Sequence, residues 1–239
     1  CGTQDGAFRA WKLPDPPSFE EEAPEQPERL AAGLALSWKG PPGEVRDLAI
    51  SPDDRHVALA GIDESVWVWE LLIKDGERVI GPPIRLGPHH GGAASLAFLN
   101  NEELATGGSD GALRIWRLSE RAGPAITAHA WPIKQLVSVA SGKLLLSVDD
   151  DHQAKLWSFP GGKLEKELKS AARADRWDLS DDGARLISAG YDRNVRWWNP
   201  TDAREARRVA TKNWLSSVAL IPGGGLVATG GADGVVRIW

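Results

Sequence analysis

A single cysteine, Cys1, is all the sequence holds, which excludes an intrachain disulfide and leaves no cysteine cluster for zinc. That scarcity fits a reducing compartment. No apolar run approaches the roughly 20 residues needed to cross a bilayer, and no charged-then-apolar leader opens the sequence. The expectation is a soluble, cytoplasmic chain with no membrane partner. A basic excess is also lacking, since 28 Lys and Arg stand against 33 Asp and Glu, for a net charge of -5. Surfaces that hold phosphate backbones carry a basic stripe, so nucleic acid is excluded as a first guess. The remainder is ordinary for a globular chain with a sizeable core, at 42% hydrophobic and 26% charged residues.

Methionine is absent, and tyrosine occurs once, yet there are 12 tryptophans. Six of them carry the main signal. Trp11, Trp69, Trp116, Trp157, Trp198 and Trp239 lie 58, 47, 41, 41 and 41 residues apart. Each follows an aspartate by six positions: Asp5, Asp63, Asp110, Asp151, Asp192 and Asp233. The windows DGAFRAW, DESVWVW, DGALRIW, DHQAKLW, DRNVRWW and DGVVRIW share a polar turn and an alternating run that ends on an indole. A period of about 40 to 45 residues with several short strands per unit is the signature of propeller blades.

Within each unit an apolar alternation comes first, as in Val45 to Ile50, Ser95 to Phe98, Lys134 to Val139 or Ser217 to Leu220. This reads as an inner strand. Turn chemistry follows in SPDD, LNNEE, SDDG and IPGGG, then a second apolar stretch such as HVALAG or LISAG leads to the Asp turn. A third strand runs from that turn to the Trp. The remainders, VIGPPIRL at 79–86 and KLEKEL at 163–168, read as variable outer strands.

On these residues the chain resembles the WD-repeat β-propeller family, in the style of bacterial WD repeats. The fold class expected is all-β, with five nearly complete blades and part of a sixth, from a seven-bladed ring. The resemblance implies a buried network of His, Ser or Thr, Asp and Trp in each blade. His129, Ser147, Asp151 and Trp157 fill the four roles, as do His89, Thr106, Asp110 and Trp116, with His90 as the alternative to His89. Ser188, Asp192 and Trp198, and Thr229, Asp233 and Trp239, lack the histidine, for which Ser170 and Thr211 stand. Leu59 replaces the hydroxyl before Asp63 and Trp69, and Cys1 does so before Asp5 and Trp11. Of the periodic tryptophans, Trp11, Trp69, Trp116, Trp157 and Trp198 are followed by Lys, Glu, Arg, Ser and Asn, not by the aspartate of the dipeptide that names the family.

Such a network is chemically self-consistent. The indole donates, hydroxyl and neutral imidazole each donate and accept, and the carboxylate accepts. His129, Ser147 and Asp151 also have the residue types of a nucleophilic triad, but in this setting a structural role is the expected one. The run Asp149, Asp150, Asp151 and His152 is read likewise as a tight turn and not as a metal site. Gly223 to Gly225 lack the lysine of a phosphate loop. No catalytic residue, cofactor or metal is expected.

The organisation expected is one propeller domain over residues 1–239, beginning and ending inside a meander, so that the sequence is a fragment of a longer chain. The long first spacing comes from residues 14–29, where five prolines and six acidic residues imply an extended or disordered loop. In the family, partners dock on the face built from the starts of the inner strands and the turns between second and third strands. Matching positions here are Arg46, Lys134, Asp150, Arg173, Tyr191 and Trp214. Aromatic residues and arginine dominate binding hot spots, which makes Tyr191 and Trp214 the best anchors. Trp131 has similar standing, whereas Trp67, Trp177 and Trp197 are expected to pack between blades. The function expected is a non-catalytic scaffold, a docking or sensor region of a larger signalling protein. Its partners would be a protein or peptide, or further domains of the same polypeptide. An enzyme or small-molecule binder that uses the central channel is the alternative.

Overall fold

The computed structural model describes residues 7–12, 33–40, 43–74, 77–139, 142–168, 174–221 and 225–239. Residues 14–29, expected as a loop, lie outside the described residues, as do Ser170 and Arg173. Every named element is a β-strand. β1 (Ala7–Lys12) pairs with β2 (Gly33–Lys39). Next come β3 (Val45–Ile50), β4 (His56–Gly61) and β5 (Val66–Lys74), a meander whose fourth place is taken by β7 (Ile84–Leu86). Between them β6 (Glu77–Ile80) folds back on the far end of β5.

Two complete meanders follow: β8 (Ala93–Phe98), β9 (Glu103–Gly108), β10 (Ala112–Arg117) and β11 (Ala125–Thr127), then β12 (Ile133–Ser138), β13 (Leu144–Asp149), β14 (Ala154–Ser158) and β15 (Lys163–Leu168). A third comprises β16 (Ala174–Leu179), β17 (Leu186–Gly190), β18 (Asn194–Asn199) and β19 (Arg204–Ala210). β20 (Leu215–Leu220), β21 (Val227–Gly231) and β22 (Val236–Ile238) form a three-stranded sheet. The inner strands β3, β8, β12, β16 and β20 neighbour one another in that order, so the sheets succeed each other as blades of a β-propeller.

Burial explains why the second strands read as unbroken apolar runs. A blade is covered on both faces by its neighbours, so alternation disappears: β4, β9 and β13 are buried at every position after the first, and β17 throughout. Outer β15 is exposed over five of its six residues. The cores accordingly lie between sheets. Leu146, Val148 and Leu156 pack with Trp177, Leu186 and Trp198 of the next blade, while Ala105, Leu113 and Ile115 pack with Ile133, Leu145 and Trp157. Each large aliphatic side chain sealed there contributes about 1.5–3 kcal/mol by leaving water.

Polar staples join the blades beside this packing. Asp47 Oδ2 of β3 accepts from Ser95 Oγ at 2.9 Å and Leu96 N at 2.7 Å. Ser95 Oγ in turn accepts from Leu136 N at 2.9 Å. Gln135 exchanges two hydrogen bonds with the Trp177 backbone, at 2.8 and 3.1 Å. Asp178 Oδ2 accepts from Leu220 N at 2.6 Å. Burial raises the carboxyls of Asp47 and Asp178 above the usual range, against the hydrogen bonds they accept.

The stretch 79–86 departs from the expectation of one outer strand. Gly81, Pro82 and Pro83 interrupt it, since proline offers no N–H to a ladder. Residues up to Ile80 lie with the tail of β5, and only Ile84–Leu86 occupy the outer place of the blade.

Candidate partner-binding face

In two sheets a buried network closed by a histidine holds the turn before the third strand. In the second sheet, Trp116 Nε1 donates to Thr106 Oγ1 at 2.9 Å, Thr106 lies 2.7 Å from His89 Nε2, and His89 Nδ1 lies 3.1 Å from Asp110 Oδ1. His89 Nδ1 also lies 2.7 Å from Arg114 Nη1, a group that can only donate. Arg114 donates to Asp110 Oδ2 at 2.8 Å. Burial lowers the His89 pKa below its ordinary value, with Arg114 acting in the same direction and Asp110 against it. Burial by itself raises Asp110, but its hydrogen bonds from His89, Arg114 and Ala112 prevail and leave the carboxyl below the usual range.

In the third sheet, Trp157 Nε1 donates to Ser147 Oγ at 2.8 Å, and Ser147 lies 2.7 Å from His129 Nε2. The carboxylate is Asp149, not the expected Asp151: Asp149 Oδ2 stands 3.0 Å from His129 Nδ1, and Asp149 is 2% exposed, whereas Asp151 is exposed. The reason is steric. Two residues beyond the hydroxyl, or beyond Leu59 in its place, stands Gly61, Gly108, Gly190 or Gly231 in the other sheets, and Asp149 in this one. A Cβ on Gly108 would overlap the His89 ring and stand 2.6 Å from Asp110 Oδ1, so the glycine leaves room for the turn aspartate to fold inward. Asp149 fills that room itself and covers the turn as well, Oδ1 accepting from Gln153 N at 2.8 Å.

Ser147 is fully buried and His129 only 5% exposed, and the Ser147 hydroxyl is occupied by Trp157 and His129. That trio offers nothing to a substrate. Burial lowers the His129 pKa. Asp149 faces inward while His152 turns to Lys134, so the acidic run 149–152 does not converge on one point.

The other sheets complete the pattern differently. Trp198 donates to Ser188 and Trp239 to Thr229, at 2.8 and 2.9 Å. Without a histidine, the fourth sheet buries Arg196 between Asp192 and Glu205. In the first sheet Trp67 Nε1 donates to Asp63 Oδ2 at 2.9 Å and its ring stacks on Trp69. Trp177 is buried against Trp198, with ring centroids 5.2 Å apart, and half-buried Trp197 lies under Arg207.

The turns held in this way share an edge with the inner-strand starts. Val45 pairs with Gly61, Ala93 with Gly108, Ile133 with Asp149, Ala174 with Gly190 and Leu215 with Gly231. In all five ladders the register shifts over the next residue, which is Arg46, Ala94, Lys134, Asp175 or Ser216. A bulge re-aims its side chain, and these five are aimed along the rim of one face.

The sequence-derived candidates among the described residues fall on this face in four places. Arg46 Nη1 reaches Ser109 Oγ at 3.3 Å on the next blade. Lys134 Nζ donates to Asp175 Oδ1 at 2.6 Å and to His152 Nδ1 at 2.9 Å, which puts the imidazole proton on Nε2. Tyr191 and Trp214 meet with ring centroids 5.2 Å apart and are 53% and 41% exposed. Asp150 is exposed, its N–H held by Pro132 O at 2.9 Å, and Trp131 beside it is 57% exposed. Sequence reasoning passed over Asp175 and His152 as members of this face. Asp175 stands 41 residues after Lys134, one repeat length, so the period itself points to it.

The sequence matches the family model described as "WD domain, G-beta repeat" over residues 34–70, 81–117, 167–199 and 207–239. It is similar to the nuclear distribution protein nudF of Aspergillus terreus, 28% identical over 214 residues that cover 81% of this chain and 44% of that protein. A p21-activated protein kinase-interacting protein 1-like of Danio rerio is 27% identical over 195 residues, 80% of this chain and 50% of that one. The U3 snoRNP-associated protein-like EMB2271 of Arabidopsis thaliana is 24% identical over 263 residues, 99% of this chain and 53% of that one. The chain thus spans about half the length of the curated relatives it matches.

Proposed function

Since this chain belongs to the WD-repeat family, we propose that it is a non-catalytic scaffold whose Asp-turn face docks a protein or peptide. The observation that carries this reading is the exposed Tyr191–Trp214 pair, set on rigid strands and turns next to a charged rim. Two aromatic rings already in contact give a partner a large apolar area at little cost in conformational entropy. The Lys134–Asp175–His152 cluster and Arg46 supply polar contacts that fix orientation along the same rim. Family likeness supports the scaffold role, and the name of one relative describes a protein that interacts with a kinase. On this reading the chain is a cytoplasmic docking or sensor region of a signalling protein, built as a single propeller unit. Further parts of the same polypeptide are among its partners.

The test is affinity capture from lysate of the source cells with the wild-type chain and a Tyr191→Ala/Trp214→Ala double variant of unchanged melting temperature. Truncating an interface anchor costs about 2 kcal/mol or more, roughly 30-fold in Kd, so the proteins retained by the wild type should be lost. Undiminished capture by the double variant removes this face.

A further inference from the structure

The first sheet carries a second feature, at the end of the blade opposite the Asp turns. β5 has nine residues, where the third strands β10, β14, β18 and β22 have three to six. Its pairing with β4 ends at His56 and Glu70, and Leu71 to Lys74 continue beyond the blade, paired with β6 on one side. On the other side, Leu71 N donates to Arg55 O at 2.6 Å, and after it no strand among the described residues accompanies Leu72 to Lys74. An edge of this kind offers free backbone groups to another extended chain.

That open edge forms one wall of a cleft of about 500 Å³ lined by Asp53, Asp54, Arg55, Glu70, Leu71, Leu72 and Ile73. Ile73 is 77% and Leu72 40% exposed, an apolar pair at the tip of a projecting hairpin. The cleft also carries acidic side chains, Asp53 and Asp54 from the turn after β3 and Glu70 from β5 itself. Asp53 Oδ1 is engaged by Ser51 and the Arg55 N–H, while the carboxylates of Asp54 and Glu70 have no hydrogen-bond or ion-pair partner among the described residues. Three carboxylates face one guanidinium, a net negative cleft beside apolar side chains.

We propose that this cleft binds an extended peptide segment that alternates basic and branched apolar residues, added as a strand to the open edge of Leu72–Lys74. Main-chain hydrogen bonds supply the affinity, as in other strand additions. Side chains alternate across a strand, so the face of the segment on the side of Ile73 carries the branched apolar residues, and the face on the side of Glu70 and Leu72 carries the basic ones, which meet Asp54 and Glu70 in charge-assisted hydrogen bonds. This site lies apart from the Asp-turn face and stands whether or not that face binds a partner.

The test uses the full chain and a fluorescein-labelled ten-residue peptide of alternating lysine and valine, read by anisotropy. Binding should be saturable. It should weaken about tenfold or more for the Asp54→Asn/Glu70→Gln double variant and for Ile73→Lys, and stay unchanged for Trp214→Ala. A glutamate–valine peptide, and a lysine–valine peptide methylated at alternate backbone amides, should both fail to bind. Equal binding of the methylated peptide, or equal binding by both cleft variants, would overturn the proposal. Sedimentation of the chain alone provides a further check: self-association abolished by Ile73→Lys would give the edge to a second copy and would equally overturn it.

Discussion

Replacing Asp149 with alanine removes a 2% exposed carboxylate that serves two donors, His129 Nδ1 at 3.0 Å and Gln153 N at 2.8 Å. Each donor left buried and unpaired costs about 1–3 kcal/mol, so Asp149→Ala should destabilise by about 2–6 kcal/mol. Asp149→Asn keeps one acceptor and turns an amide N–H₂ on the other donor, for roughly half that loss. Urea unfolding followed by tryptophan fluorescence reads the effect. With a slope of about 2 kcal/mol/M, a 3 kcal/mol loss lowers the midpoint by roughly 1.5 M. Asp151→Asn changes an exposed turn residue and should leave the midpoint where it is. The reasoning is refuted if Asp151→Asn shifts the midpoint more than Asp149→Asn does, because the network would then run through the turn aspartate as in the neighbouring blades.

Three other predictions concern stability. Burial depresses the pKa values of His89 and His129 below 6.5, so the stability they contribute is fully present above that value and is lost as pH falls through their folded values. Thermal midpoints should drop between pH 7 and 5, and less in a His129→Gln variant. Asp47 and Asp178, raised by burial, have the opposite sign: their contribution is complete below about 3.8 and declines as pH rises through their folded values. Asp178→Asn sets an amide donor against the N–H of Leu220 or Leu179, and should cost about 1–3 kcal/mol by urea unfolding. Asp192→Asn leaves the buried Arg196 guanidinium with Glu205 alone and should cost about 2 kcal/mol, while Arg196→Met in the same chain should recover most of it in a thermal melt.

What was legible in the sequence was whatever repeats with the blade. Trp and Asp at fixed distance located the third strands and their turns, because every blade solves the same packing problem between two neighbours. Asp151 was misassigned because spacing counts positions, while the space around His129 is decided by whether glycine or Asp149 stands two residues after Ser147. The strand reading of 79–86 failed at Gly81, Pro82 and Pro83, where missing donors redirect the chain and free the tail of β5 for its hairpin. Contacts between blades, such as Asp47 with Leu96 or Gln135 with Trp177, join residues about one repeat apart, but the residue types that make them differ from blade to blade and so carry no common motif. Of the face, Arg46 and Lys134 were legible as residues at the starts of inner strands. The ladder shows why that place matters, since each sits on a bulge.

Amide hydrogen exchange on the chain with its captured partner bound tests the docking account most directly. The account predicts new protection at residues 150–152, 191–193 and 211–216, the turns and strand starts of the Asp-turn face. Protection confined to the outer strands β11, β15 and β19, with the turns exchanging as in the free chain, would contradict it.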